Sequence, residues 1–99
     1  MTYKIRTSLE FEQWLASIKD DQAKARLIVR LKRVQLGLIG DSRSLGGGLQ
    51  ELREHFGAGW RMYYVWLPPN TIVMLTGGSK RSQTNDISRA RRLATCLEE

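Results

Sequence analysis

Leu49 to Lys80 reads LQELREHFGAGWRMYYVWLPPNTIVMLTGGSK, and the reading of this stretch decides the fold. In Leu49–Phe56 a two-residue period places Leu52 and Phe56 with Gln50 and Glu54 on one face, and Glu51, Arg53 and His55 on the other. Gly57-Ala58-Gly59 then makes a short hairpin connection. Trp60–Leu67 is apolar or aromatic at every position except Arg61, with Arg61, Tyr63 and Val65 opposite Met62, Tyr64 and Trp66. Pro68-Pro69-Asn70 is a turn, because prolines lack the amide a central strand must donate. Thr71–Thr76, β-branched and apolar, is the last strand, ended by Gly77-Gly78, which deliver Ser79-Lys80-Arg81 at its edge. If Met62 and Tyr64 face the helices, Arg53, Arg61 and Tyr63 share an open outer face.

Working outward, Tyr3–Arg6 alternates apolar and cationic residues, as a short strand would. Thr7-Ser8-Leu9-Glu10 has capping-box form with Thr7 as the cap, and Phe11, Trp14, Leu15 and Ile18 follow as one apolar stripe. Asp20 or Asp21 caps a second helix from Gln22 to Leu36, whose seam is Ala23, Leu27, Leu31, Val34 and Leu38. Gly37 and Gly40 end it, giving an αα-hairpin. Lys24, Arg26, Arg30, Lys32 and Arg33 lie off the seam, first as a solvated face and second as a nucleic-acid contact surface. Asp41–Gly48 carries turn formers and GGG; without the spacing of a dinucleotide or Walker motif, a bulge or close backbone approach is the better reading. Thr84 or Asn85 caps a third helix with Asp86 in its first turn and Ile87, Ala90, Leu93, Ala94 and Leu97 as its stripe. The expected order is β-α-α-β-β-β-α, a single α+β domain over residues 1–99 with the helical hairpin packed on one face of an antiparallel sheet.

Composition narrows the chemistry. Sixteen Lys and Arg against 10 Asp and Glu leave a formal charge of +6, so the expected partner is a polyanion or an acidic protein segment. One cysteine and one histidine, Cys96 and His55, cannot assemble a Cys/His zinc site or an internal disulfide, and no metal or cofactor is expected. The start, MTYKIRTSLEF, lacks an apolar signal core, and no run approaches a membrane span, so the expectation is a cytoplasmic chain with no membrane partner.

Several pieces resemble one family when read in order: ELR at Glu51–Arg53, GWRxYY at Gly59–Tyr64, GGxKxxQ at Gly77–Gln83 and DI at Asp86–Ile87. FxxWL at Phe11–Leu15 and GDxxxLGxG at Gly40–Gly48 extend the set over nearly the whole chain. Together they look like the RelE/ParE superfamily of bacterial type II toxins, in its HigB-like "addiction module killer" branch. The resemblance implies a microbial RNase-like fold and ribosome-dependent cleavage of mRNA by a metal-independent endoribonuclease that inhibits translation. It also implies a cognate antitoxin, with the toxin–antitoxin complex as a candidate binder of operator DNA. Relatives in the ParE branch poison DNA gyrase instead, so inhibition of gyrase or another protein by binding is the alternative.

Cleavage of RNA without a metal needs a base for the 2′-hydroxyl, cations for the phosphate and an acid for the leaving oxygen. Arg61, lone cation of an apolar strand, is the first candidate for the scissile phosphate, set against an ordinary surface arginine. Arg53 offers a second phosphate contact, with an ion pair to Glu51 or Glu54 as the competing reading. Lys80 matches the family's C-terminal basic position, with Arg81 as neighbour; Arg81, Lys24 and Arg30 are the RNA-binding candidates. For proton transfer His55, Glu51, Tyr63 and Asp86 all stay open, Tyr63 also as a base-stacking aromatic. The chain closes on ATCLEE, without the aromatic or histidine that family members often carry there.

Overall fold

The computed structural model describes residues 2–97. Five strands, β1 (Lys4–Thr7), β2 (Ser42–Gly46), β3 (Leu49–Arg53), β4 (Trp60–Leu67) and β5 (Thr71–Ser79), form one sheet in the order β1-β5-β4-β3-β2. Helices α1 (Leu9–Ser17) and α2 (Asp21–Gln35) cover one face, and α3 (Gln83–Leu97), entered through a 3-10 turn at Lys80–Ser82, covers the other. The α+β class of the sequence reading holds. Two features extend it: β1 pairs parallel to β5 while the remaining strands are antiparallel, and β2 is an additional strand.

The sequence reads Asp41–Gly48 as turn, yet Ser42–Ser44 pair with Gln50–Leu52. SRSLG has weak strand propensity and is mostly exposed; backbone pairing to the buried β3 makes it a strand, which side-chain patterning does not reveal. The bulge expected there lies between Ser44 and Gly46. β5 likewise runs through Gly77 and Gly78 instead of stopping at Thr76. These glycines are needed for close approach: a Cβ on Gly77 would overlap the Trp14 ring, and one on Gly78 the Asp86 carboxylate.

Cap positions shift by a residue where pairing competes. Thr7 is drawn into β1 opposite Met74, so Ser8 caps α1, accepting from the Phe11 amide at 3.0 Å and donating to the Leu75 carbonyl at 2.6 Å. Asp20 caps α2 by accepting from the Gln22 and Ala23 amides at 3.0 and 3.1 Å. Gly37 leaves the helix at φ 88°. α3 begins at Gln83, ahead of the expected Thr84 or Asn85 cap, because Ser79–Ser82 already turn the chain.

Two cores result. Phe11, Leu27, Val34, Leu52, Met62, Tyr64, Ile72 and Met74 pack beneath α1 and α2. Leu49, Tyr63, Val73, Leu75 and Ala90 pack beneath α3. Leu38, expected on the α2 seam, is 62% exposed because the helix has already ended; between Leu27 and Val34 the seam residue Leu31 packs against the core, and Arg30, expected off the seam, is buried beside it.

Candidate functional site

At one end of the sheet the α2–β2 loop, the β3–β4 hairpin and the 3-10 turn converge. Cross-strand register sets Arg53 beside Arg61 and Arg61 beside Gly78. Asp41, from the α2–β2 loop, reaches over this end. Its Oδ1 accepts from Arg53 Nε at 3.2 Å and Nη2 at 2.9 Å, and its Oδ2 meets His55 Nε2 at 2.7 Å. The hydrogen bond from Arg53, then that from His55, holds the Asp41 carboxyl below its ordinary range. Arg53 therefore pairs with Asp41, not with the Glu51 or Glu54 considered from sequence. His55 stands open, its side chain 68% exposed.

Arg30 corrects its own assignment as an RNA contact on a solvated face. The helical period sets it on the buried side of α2, and its five donors all find partners. Nε and Nη2 bond the Ile39 carbonyl at 3.2 and 2.8 Å, and Nη2 also bonds the Asp41 carbonyl at 2.8 Å. Nη1 bonds the Arg53 carbonyl and Glu54 Oε1, both at 3.0 Å. Arg30 thus ties the loop bearing Asp41 to the strand end bearing Arg53 and His55.

Arg61 is corrected in the same way: expected on an open face, it is 6% exposed. Its Nη1 donates to the carbonyls of Glu54 and Trp60 at 3.1 Å each, while its Nε is buried without a partner. Gly59, at φ 71°, passes between Arg61 and Lys80; a Cβ there would lie 3.2 Å from that of Lys80. Lys80 and Arg81 are exposed on the 3-10 turn, and the Lys80 amide donates to the Ala58 carbonyl at 3.3 Å. Lys24 lies apart from this group, donating to the Ala16 carbonyl at 3.3 Å where α1 ends.

The face expected to be open is covered by α3, whose Ile87, Ala90, Leu93 and Ala94 pack there against Leu49, Tyr63 and Leu75 while Leu97 stays exposed. Tyr63, cast as a stacking or catalytic group, is fully buried, and burial followed by the charge of Glu51 pushes its hydroxyl well above its ordinary pKa. Glu51 is fully buried too. Its Oε2 accepts from Gln83 Nε2 at 2.8 Å, and its Oε1 lies 3.7 Å from Arg43 Nε, beyond hydrogen-bond reach. Asp86, in the first turn of α3 as expected, is buried and accepts from Ser82 Oγ at 2.5 Å. Among the described residues no three His, Cys, Asp or Glu side chains converge as a metal site, and no helix is long and apolar enough to cross a membrane. Asp41 was missed as a site residue because an aspartate in a GDS turn reads as a turn former.

The model of the phage-derived Gp49-like protein family (DUF891) matches residues 13–95. The chain belongs to this family. A Haemophilus influenzae relative described as an uncharacterized protein is 40% identical to this Gp49-like chain over 94 residues, 95% of each. Among solved structures, the RelBE2 toxin–antitoxin complex of Mycobacterium tuberculosis superposes with a TM-score of 0.67 at 15% identity, covering 81% of this chain and 100% of that one. Identity this low shows the fold: the Gp49-like chain has the α+β architecture of a chain in that complex.

Proposed function

We propose that this Gp49-like protein is the toxin of a type II toxin–antitoxin pair, in the HigB-like branch, and that it cuts mRNA on the ribosome as a metal-independent endoribonuclease of the cytoplasm. The observation that carries the reading is the exposed His55, hydrogen-bonded to Asp41 beside Arg53, on a fold shared with a chain of a toxin–antitoxin complex. An imidazole at that edge takes the 2′-hydroxyl proton, and Arg53 and Lys80 stabilise charge on the phosphate as it becomes five-coordinate. Arg81 extends the cationic edge along the RNA backbone. Arg61, buried behind Gly59 and Lys80, contributes a fixed positive charge and holds the carbonyl of Glu54. Tyr63 acts only through the packing beneath α3. The antitoxin covers the cationic edge with an acidic segment, and the pair is proposed to bind its operator DNA.

The burial of Arg61 and Tyr63 supports a second reading, in which the protein inhibits gyrase or another protein by binding. Expression of wild type beside Arg53→Ala and His55→Ala, followed by growth and primer extension, separates the two. Codon-spaced cuts from wild type that both variants lose are expected. Growth arrest with a DNA-damage response and intact mRNA selects the second reading.

A further inference from the structure

Four side chains compete on sequence grounds for the proton-transfer role: His55, Glu51, Tyr63 and Asp86. Burial removes three, since Glu51 and Tyr63 are fully buried and Asp86, on the first turn of α3, is 7% exposed. His55 is the one of the four that a substrate can reach. An exposed imidazole is a poor catalyst while it rotates and exchanges tautomers freely, so the question is what holds it.

We propose that Asp41 is the positioning residue of this site: it keeps the ring proton of His55 on Nε2 and thereby presents Nδ1 as the base that accepts the 2′-hydroxyl proton of RNA. This rests on the ribonuclease reading above. The ionised carboxylate can only accept hydrogen bonds, so the 2.7 Å contact from His55 Nε2 to Oδ2 requires hydrogen on Nε2. The other oxygen, Oδ1, is occupied by Nε and Nη2 of Arg53, so the carboxylate is held from both sides.

The backbone of Asp41 is anchored as firmly as its side chain. Its carbonyl accepts from the buried Arg30 at 2.8 Å and from the Arg53 amide at 3.0 Å. Gly40 precedes it at φ 72°, a conformation that strains other residues, and a Cβ there would crowd Arg30 Nη2 at 3.1 Å. A surface loop residue with these anchors is pre-organised where an isolated ion pair is not.

In the step, the 2′-oxygen gives its proton to Nδ1 and bonds to the adjacent phosphorus. The bond from phosphorus to the 5′-oxygen breaks, and that oxygen takes a proton from water. A 2′,3′-cyclic phosphate and a 5′-hydroxyl end result, and the imidazolium, its second proton shared with Asp41, returns Nδ1–H to solvent.

His55 is the single histidine, so ¹⁵N NMR of imidazole-labelled protein reads its tautomer without assignment. Wild type is expected to show hydrogen on Nε2, bonded to a carboxylate. Asp41→Asn, whose amide can donate to Nε2, is expected to move hydrogen to Nδ1 and to slow cutting of ribosome-bound mRNA by roughly 10²–10⁴-fold, the range of a lost general base. Asp41→Glu, which keeps an acceptor, is expected to restore part of both signals, and circular dichroism shows which variants are folded. A wild-type ring with hydrogen on Nδ1, or a folded Asp41→Asn that cuts as fast as wild type, overturns the proposal. So does loss of cutting with an unchanged tautomer. If wild type makes no cuts while the tautomers behave as expected, the ribonuclease reading has failed, and the role of base falls with it.

Discussion

The two faces of the sheet are built on different principles. Beneath α1 and α2 the packing is apolar, and among the described residues the one buried charged residue there, Arg30 at the rim, has every donor satisfied; the exception on these helices is Glu10 Oε2 of α1, buried without a hydrogen bond. Beneath α3 the apolar cluster is smaller and shares its space with Glu51, Arg61 and Asp86, leaving Glu51 Oε1, Arg61 Nε and the Tyr63 hydroxyl without hydrogen bonds. A fully satisfied group is costly to delete because its partners are stranded. A group that already lacks partners has less to lose. The first face therefore supplies stability and anchors the Asp41 loop, and the second fixes where α3 lies.

The sharpest way to break this contrast is Arg30→Met. It strands the carbonyls of Ile39 and Arg53 together with Glu54, leaves the Asp41 carbonyl with only the Arg53 amide, and should cost ~3–5 kcal/mol in denaturant unfolding, the range for breaking a buried pair. Gly78→Ala tests the α3 side. Its Cβ overlaps Asp86, forcing α3 from β5, and should cost ~1–3 kcal/mol as an overpacked site. Gly77→Ala should cost about as much, because its Cβ overlaps the Trp14 ring, which packs against Phe11 and Trp60.

Tyr63→Phe removes a hydroxyl that has no partner and should change stability at neutral pH by less than ~1 kcal/mol. Its effect belongs at high pH. The native Tyr63 pKa is raised, so the neutral hydroxyl contributes stability that is fully present below the unfolded value of about 10 and falls as pH rises through the native value. Alkaline melts of Tyr63→Phe should lose less than wild type above pH 10.

The smallest effect is at acid pH. The Asp41 pKa is lowered by Arg53 and His55, so its contribution is present above the unfolded value of 3.8 and fades as pH falls through the lower native value. Asp41→Asn should flatten that limb of an acid titration slightly, since the pair is partly exposed and screened by solvent.

The residues of β4 were legible end to end, because eight residues interrupted by one charge and closed by two prolines have one plausible state. The helices were legible to within a residue or two, since their stripes repeat at the helical period. β2 was not, because an exposed edge strand takes its conformation from a neighbour's backbone. Within the site, strand pattern alone put Arg53 and Lys80 at one end of the sheet, whereas β3 ends at Arg53, short of the expected Phe56, so His55 lies beyond the strand. Asp41, twelve residues from Arg53, did not.

By itself the sequence determined element type, chain order and excess positive charge, all of which follow from local period, turn chemistry and composition. Tertiary structure decided which cations are usable. Arg30 and Arg61 are as basic in the sequence as Arg53 and Lys80, yet packing turned the first two into internal braces and left Lys80 exposed and Arg53 partly exposed. It also covered the second face of the sheet with α3 and brought Asp41 to His55. The physical reason is that burial and partner choice depend on residues distant in the chain, and no local pattern encodes them.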